Sequence, residues 1–138
     1  MSPNQWRNFL LTGTRTAKVA VVRADGRPHV VPVWFLLDGD DVIFTTWHES
    51  VKGRALQHDS RLCLCVDEDR PPFSYVMIEG HARISQDAVQ REFWAKEIAA
   101  RYMGKEQAEA YGARNAVEGE LLIRIAIEHV VALADIAE

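Results

Sequence analysis

Short apolar segments bounded by turn residues recur along the chain at the spacing of β-strands. The clearest runs from Glu120 to Leu133, where Leu121, Ile123, Ile125, Ile127, Val131 and Leu133 fall on one face and Arg124 and Glu128 on the other. Strands are also predicted at 16–23, 29–37, 42–47, 61–67 and from Phe73 to Ile84, with Asp25-Gly26 marking a hairpin turn. Helical spacing appears at Ser2 to Leu11, where Trp6, Phe9 and Leu10 line up, and at 51–58, 87–101 and 105–115. In the third of these helices Val89, Phe93, Trp94, Ile98 and Tyr102 share a side.

Six strands joined mostly by tight turns, with helices inserted late, predict a mainly β, α+β fold: an antiparallel barrel with helices packed outside. The segment HVVPVWFLL is apolar on both faces, so both must be covered. The barrel interior covers one, and in a chain this short a second copy most easily covers the other, which predicts a homodimer. Pro32 lies within that strand and cannot donate to a ladder, so it marks an edge or a bulge.

Composition narrows the function classes. The chain has 138 residues, the size of one domain spanning 1–138, with 48% hydrophobic and 26% charged residues. A net charge of −4 gives nucleic-acid binding no electrostatic support. Neither a signal peptide nor a membrane-length apolar run is read in the sequence, so a cytoplasmic location is the expectation. Cys63 and Cys65 stand two apart on one strand face and read as reduced, buried small hydrophobes rather than a redox pair. His29, His48, His58, His81 and His129 are scattered without metal-ligand spacing.

The segment TTWHESVKGRALQHDSR carries the candidate chemistry. Ser50 reads as an N-cap and a helix begins at Val51. The first turn of a helix favours acidic side chains, yet Lys52 and Arg54 stand there with Gly53 between them. An anion bound at that helix end would account for the pattern. Solvated charges paired with Glu49 and Asp59 would also account for it.

The hairpin RADGRPHVVPVWF, the strand-to-helix segment IFTTWHESVKGRAL, the strand DSRLCLCVDED and the segment PPFSYVMIEGHARI occur in this order. As an ordered set, with the terminal strand, they resemble the pyridoxamine 5′-phosphate oxidase-like family of flavin and deazaflavin oxidoreductases. Within it they look most like the coenzyme F420-dependent subgroup, found mainly in actinobacteria. The resemblance implies a six-stranded antiparallel split β-barrel of the FMN-binding type and a homodimer with a cofactor groove at each end of its interface. It implies a phosphate-binding role for Lys52, with Thr46 and Ser50 beside it and Arg54 assisting. It places Val31, Pro32, Val33 and Trp34 along the cofactor ring, and makes Pro72, Phe73 and Tyr75 candidates for a wall supplied by the other subunit.

What the resemblance implies for chemistry is hydride transfer from reduced coenzyme F420 to an activated C=C or C=N of a small substrate. Tyr75, His48 and His29 are chemically able to supply the accompanying proton. Lys18, Arg23 and Arg27 are cations that could line an exit for the anionic tail of the coenzyme. The C-terminal HVVALADIAE lacks the basic signature of vitamin B6 oxidases, and no haem-ligating histidine is matched. An FMN enzyme on the same scaffold and a non-catalytic binder of flavin or F420 are the alternatives.

Overall fold

A computed structural model describes residues 1–138. The helices are α1 (Pro3–Leu11), α2 (Val51–His58), α3 (Ala88–Met103) and α4 (Ala108–Arg114). The strands are β1 (Ala17–Val22), β2 (Pro28–Val33), β3 (Leu36–Asp38), β4 (Asp41–Trp47), β5 (Arg61–Glu68), β6 (Ser74–Ser85) and β7 (Glu120–Leu133). They form one antiparallel sheet in the order β2-β1-β5-β6-β7-β4-β3.

There are thus seven strands rather than six, and the sheet is not closed by hydrogen bonds. The difference arises inside the apolar run 29–37, which breaks at Trp34 and Phe35. The Phe35 N–H donates to the Tyr102 hydroxyl at 3.3 Å, and Arg101 Nη1 donates to the Phe35 carbonyl at 2.7 Å. Both α3 side chains withdraw the Phe35 backbone from strand pairing. Arg101 also donates to the carbonyls of Leu10 and Gly13, which ties the end of α3 to the end of α1.

Because of this break, β2 and β3 are successive in sequence yet form opposite edges of the sheet. Three Cα steps join Val33 to Leu36 and reach at most about 11 Å. The sheet therefore curls until its two edges face each other, giving a split barrel. Its interior is a cluster of 19 buried residues that includes Val19, Phe44, Leu64, Ile78 and Ile123, closed by Trp6 and Leu10 from α1 and Leu56 from α2. A smaller cluster of Ile43, Leu122 and Ile98 lies outside, under α3, with Trp34, Trp94 and Tyr102 packed on it.

Two apolar stripes differ from expectation. Opposite Gly80 the pairing shifts: Gly80 faces Ile127 while Glu79 faces His129, so Glu128 is an extra residue in β7. A Cβ at position 80 would collide with the Ala126 carbonyl, so glycine permits the close approach of β7 there. Beyond this bulge the alternation inverts. Val130 and Ala132 pack on the core, and Val131 and Leu133 turn outward. On α3 the buried stripe is Arg91, Ala95, Ile98 and Ala99, whereas Val89 and Phe93 are exposed. Cys63 and Cys65 share the outer face as expected but are half-buried, and both thiols are free.

Candidate functional site

The split between the sheet edges is a groove of about 420 Å³. One wall is the end of β2 and the residue after it, Pro32, Val33 and Trp34; the other is Thr45, Thr46 and Trp47 of β4. Ser50 and Lys52 at the start of α2 line it, as do Ile98, Asn115 and Glu120. Pro32 sits on an edge strand and pairs with Lys18 in unbroken register, so it marks an edge and no bulge. The outward backbone groups of β2 have no strand partner.

A connected set of hydrogen bonds fixes the α2 end of the groove. Ser50 is the N-cap and accepts from the Gly53 N–H at 3.0 Å. Its hydroxyl donates to the Trp47 carbonyl at 2.8 Å, so the Thr46 hydroxyl, 2.9 Å away, is the donor between the pair. A Cβ on Gly53 would lie well under 3.0 Å from the Trp47 carbonyl oxygen. Glycine is what lets α2 begin hard against the end of β4. With the Gly53 N–H taken by Ser50 Oγ and the Arg54 N–H by the Ser50 carbonyl, the Val51 and Lys52 N–H groups remain without an acceptor at the positive end of the helix.

Lys52 is half-buried here. Lys18 and Lys96 are engaged in ion pairs with carboxylates, but Lys52 is in none. Burial lowers its pKa, and Glu120 acts against that shift. Burial raises the pKa of Glu120, which Lys52, Arg91 and His48 oppose in that order. Glu120 is the first residue of β7 and pairs with Trp47, which brings it to the groove. Nothing in the sequence marked Glu120 or Asn115, since both reach the groove only through the β4–β7 register and the α4–β7 turn. Trp34 stacks on Tyr102 with centroids 5.1 Å apart and the rings nearly parallel, at 3°.

Of the sequence candidates, Pro32, Val33, Trp34, Thr46, Ser50 and Lys52 meet in this groove. Arg54 does not. Residues two apart on a helix point about 200° apart, and Arg54 lines a separate hollow with Arg23, Ala24, Val51 and Ala55. Val31 lies on β2 behind Val33, half-buried and opposite Val19. Pro72 and Phe73 line another groove with Phe9, Arg15 and Glu68, and Tyr75 lies in β6 opposite Leu133.

The histidines are engaged elsewhere. His48 Nδ1 donates to the Gly119 carbonyl at 3.0 Å, joining two turns. His29 Nδ1 accepts from Arg23 Nη2 at 3.1 Å beside the β1–β2 hairpin. The cations proposed for a coenzyme tail are held too: Lys18 by Asp67 at 3.1 Å and Arg27 by Asp25 at 2.8 Å.

A family model described as pyridoxamine 5′-phosphate oxidase matches residues 3–134. Among curated proteins no significant match is found. The fold is similar to that of a conserved hypothetical protein from Mycobacterium tuberculosis, with TM-score 0.85 and 21% identity over 98% of this chain and 86% of the other. It is also similar to an F420 reductase, with TM-score 0.72 and 24% identity over 90% and 94% of the two chains. HutZ, a haem storage protein from Vibrio cholerae, aligns with TM-score 0.74 and 16% identity over 95% and 94%. At these identities the likenesses establish the fold.

Proposed function

The chain belongs to the pyridoxamine 5′-phosphate oxidase family, and from that premise we propose that it is a coenzyme F420-dependent reductase. The observation that carries this reading is the ammonium of Lys52, free of any ion pair, which lines the same groove as the Pro32–Trp34 edge. A phosphate held by the Lys52 ammonium and the Val51 and Lys52 N–H groups at the start of α2 anchors the ligand. The tricyclic ring then lies along the unpaired edge of β2, whose backbone groups match its donors and acceptors. The F420 reductase among the structural neighbours supports the choice of a deazaflavin.

When bound, the deazaflavin supplies hydride to an activated C=C or C=N. The chain's own part is to bind the phosphate, orient the ring and exclude water. Neither His48 nor His29 lines the groove, so in this reading the proton comes from solvent or from Tyr75 of a second subunit.

A homodimer is part of the proposal. The outer faces of β2, β1, β5, β6 and β7 align in rows such as Pro32, Lys18, Cys65, Met77 and Val131. Val30, Val131 and Leu133 on this face are 61%, 41% and 47% exposed, and Cys65 and Met77 lie in the rows between β2 and β7. A second copy covers it and brings its Pro72, Phe73 and Tyr75 towards the groove.

Fluorescence titration with coenzyme F420 and with FMN tests the reading. Tighter binding of F420, weakened roughly 10- to 100-fold in Lys52→Ala, is the expected result. Preference for FMN would assign the groove to a flavin. Binding of neither would refute the phosphate site.

A further inference from the structure

We infer that the hollow between the β1–β2 hairpin and α2 is a second anion site, taking a carboxylate or phosphate group on the guanidinium groups of Arg23 and Arg54. It is separate from the groove and stands without the cofactor reading. The hollow measures about 200 Å³ and is lined by Arg23, Ala24, Val51, Arg54 and Ala55. That is room for several water molecules, and so for one carboxylate or phosphate group with the carbon that carries it. Two of the five lining residues are arginines and none is acidic.

The acids that lie near these arginines in sequence are taken by other cations. Asp59 binds Arg61 at 2.7 Å, Asp25 binds Arg27 at 2.8 Å, and Glu49 lies 3.5 Å from His48. Neither Arg23 nor Arg54 has a carboxylate within ion-pair distance. Arg23 is half-buried. Its Nη2 donates to His29 Nδ1 at 3.1 Å, and an imidazole nitrogen that accepts carries no proton, so this bond leaves the guanidinium charge in place. Its Nε is buried without a hydrogen-bond partner among the protein's own groups, which costs free energy in a folded chain.

Local structure fixes both cations. The Arg23 N–H donates to the Arg27 carbonyl at 3.0 Å and the Arg23 carbonyl accepts from the Gly26 N–H at 2.9 Å, so the hairpin turn sets where Arg23 leaves the sheet. On α2, Arg54 follows Val51 by three residues and Ala55 follows it by four, which puts all three on one side of the helix. Like charges brought into one small hollow repel. An anion there removes that cost and gives Arg23 Nε an acceptor. The anionic group belongs either to a free organic acid or to the far end of a ligand anchored at Lys52, because Val51 borders the hollow and Lys52 the groove.

Glutarate and inorganic phosphate, titrated into isotope-labelled Lys52→Ala protein and followed by amide NMR shifts, test the site with the groove's own ammonium removed. Saturable shifts of Ala24, Val51, Arg54 and Ala55 are expected, with affinity falling roughly three- to ten-fold on further substitution Arg54→Gln or Arg23→Gln. Circular dichroism checks folding, and the exposed Arg54 serves alone should Arg23→Gln fail to fold. A fluorescence titration then compares coenzyme F420 with the same coenzyme stripped of its anionic tail, in the wild type and in Arg54→Gln. A loss confined to the full coenzyme assigns the hollow to the tail. Saturable shifts from the small anions with no loss of coenzyme affinity assign it to a free acid. Shifts that do not saturate, or that survive both substitutions, together with unchanged coenzyme affinity, overturn the site. Failure of F420 to bind at all removes the cofactor reading of the groove and leaves the small-anion titration to decide the hollow.

Discussion

Gly53→Ala is a small substitution with a large expected effect. In an ordinary helix interior it would stabilise by about 1 kcal/mol, because alanine is the better helix former. Here the new methyl would sit well under 3.0 Å from the Trp47 carbonyl oxygen and 3.0 Å from Ser50 Oγ. Neither neighbour can yield freely. The carbonyl is main chain at the end of β4 and already accepts from the Ser50 N–H and hydroxyl, and Ser50 Oγ is held by its cap and by Thr46. Relief requires α2 to retreat by roughly 1 Å, and overpacking of this kind costs about 1–3 kcal/mol. Set against the propensity gain, the net loss is about 0–2 kcal/mol, or up to roughly 1 M in the urea midpoint. The same displacement carries Lys52 and the first-turn N–H groups away from the groove, so cofactor affinity should fall more than stability does. Urea unfolding followed by circular dichroism measures the first effect and fluorescence titration the second. A variant that unfolds at an equal or higher urea concentration and binds as tightly as the wild type would refute the packing argument.

Two further outcomes follow from the geometry. Arg101→Met removes the hydrogen bonds to Leu10, Gly13 and Phe35 and should cost about 3 kcal/mol in unfolding free energy, with the groove disturbed even though Arg101 does not line it. An unshifted urea midpoint would show that water replaces these bonds without loss. Glu68 is held by hydrogen bonds from Arg70 and Arg15, which bring its pKa from 4.5 down to about 2. A depressed carboxylate contributes stability above its unfolded value and loses it as the pH falls through the folded one. Melting temperatures taken between pH 5 and 2 should therefore fall less steeply for Glu68→Gln than for the wild type, and identical slopes would contradict the assignment.

Much of the groove was legible in the sequence because its parts are local. The N-cap at Ser50, the helix start at Val51 and the cation at Lys52 lie within a few residues, and local rules suffice for them. Arg54 was misplaced for lack of helical geometry, since two residues of sequence separation put it on the far side of α2. The break at Trp34 and Phe35 could not be read from an uninterrupted apolar run, because its cause sits on α3, 66 residues away. The bulge at Glu128 and the outward turn of Val131 and Leu133 were hidden for the same reason, since they depend on what Gly80 permits across the strand pair. Arg91 displaced Val89 and Phe93 from the buried face of α3, and no hydrophobic pattern anticipates a buried arginine. The order of segments points to the family that residues 3–134 match, whereas the strand count depends on an interruption at Trp34 and Phe35 that the order does not show.

The two walls of the groove differ in when they can form. β2 pairs with β1 across a tight hairpin, a contact between near neighbours in sequence. β4 pairs on its long side with β7, where residues 41–47 meet residues 120–126. A contact between segments about eighty residues apart carries a larger loop-closure cost and forms late. One wall is therefore available early in folding and the other waits for the last strand. A ligand that needs both walls has nothing to bind until folding is nearly complete, so it would act as a lock on the finished barrel and not as a template for its assembly.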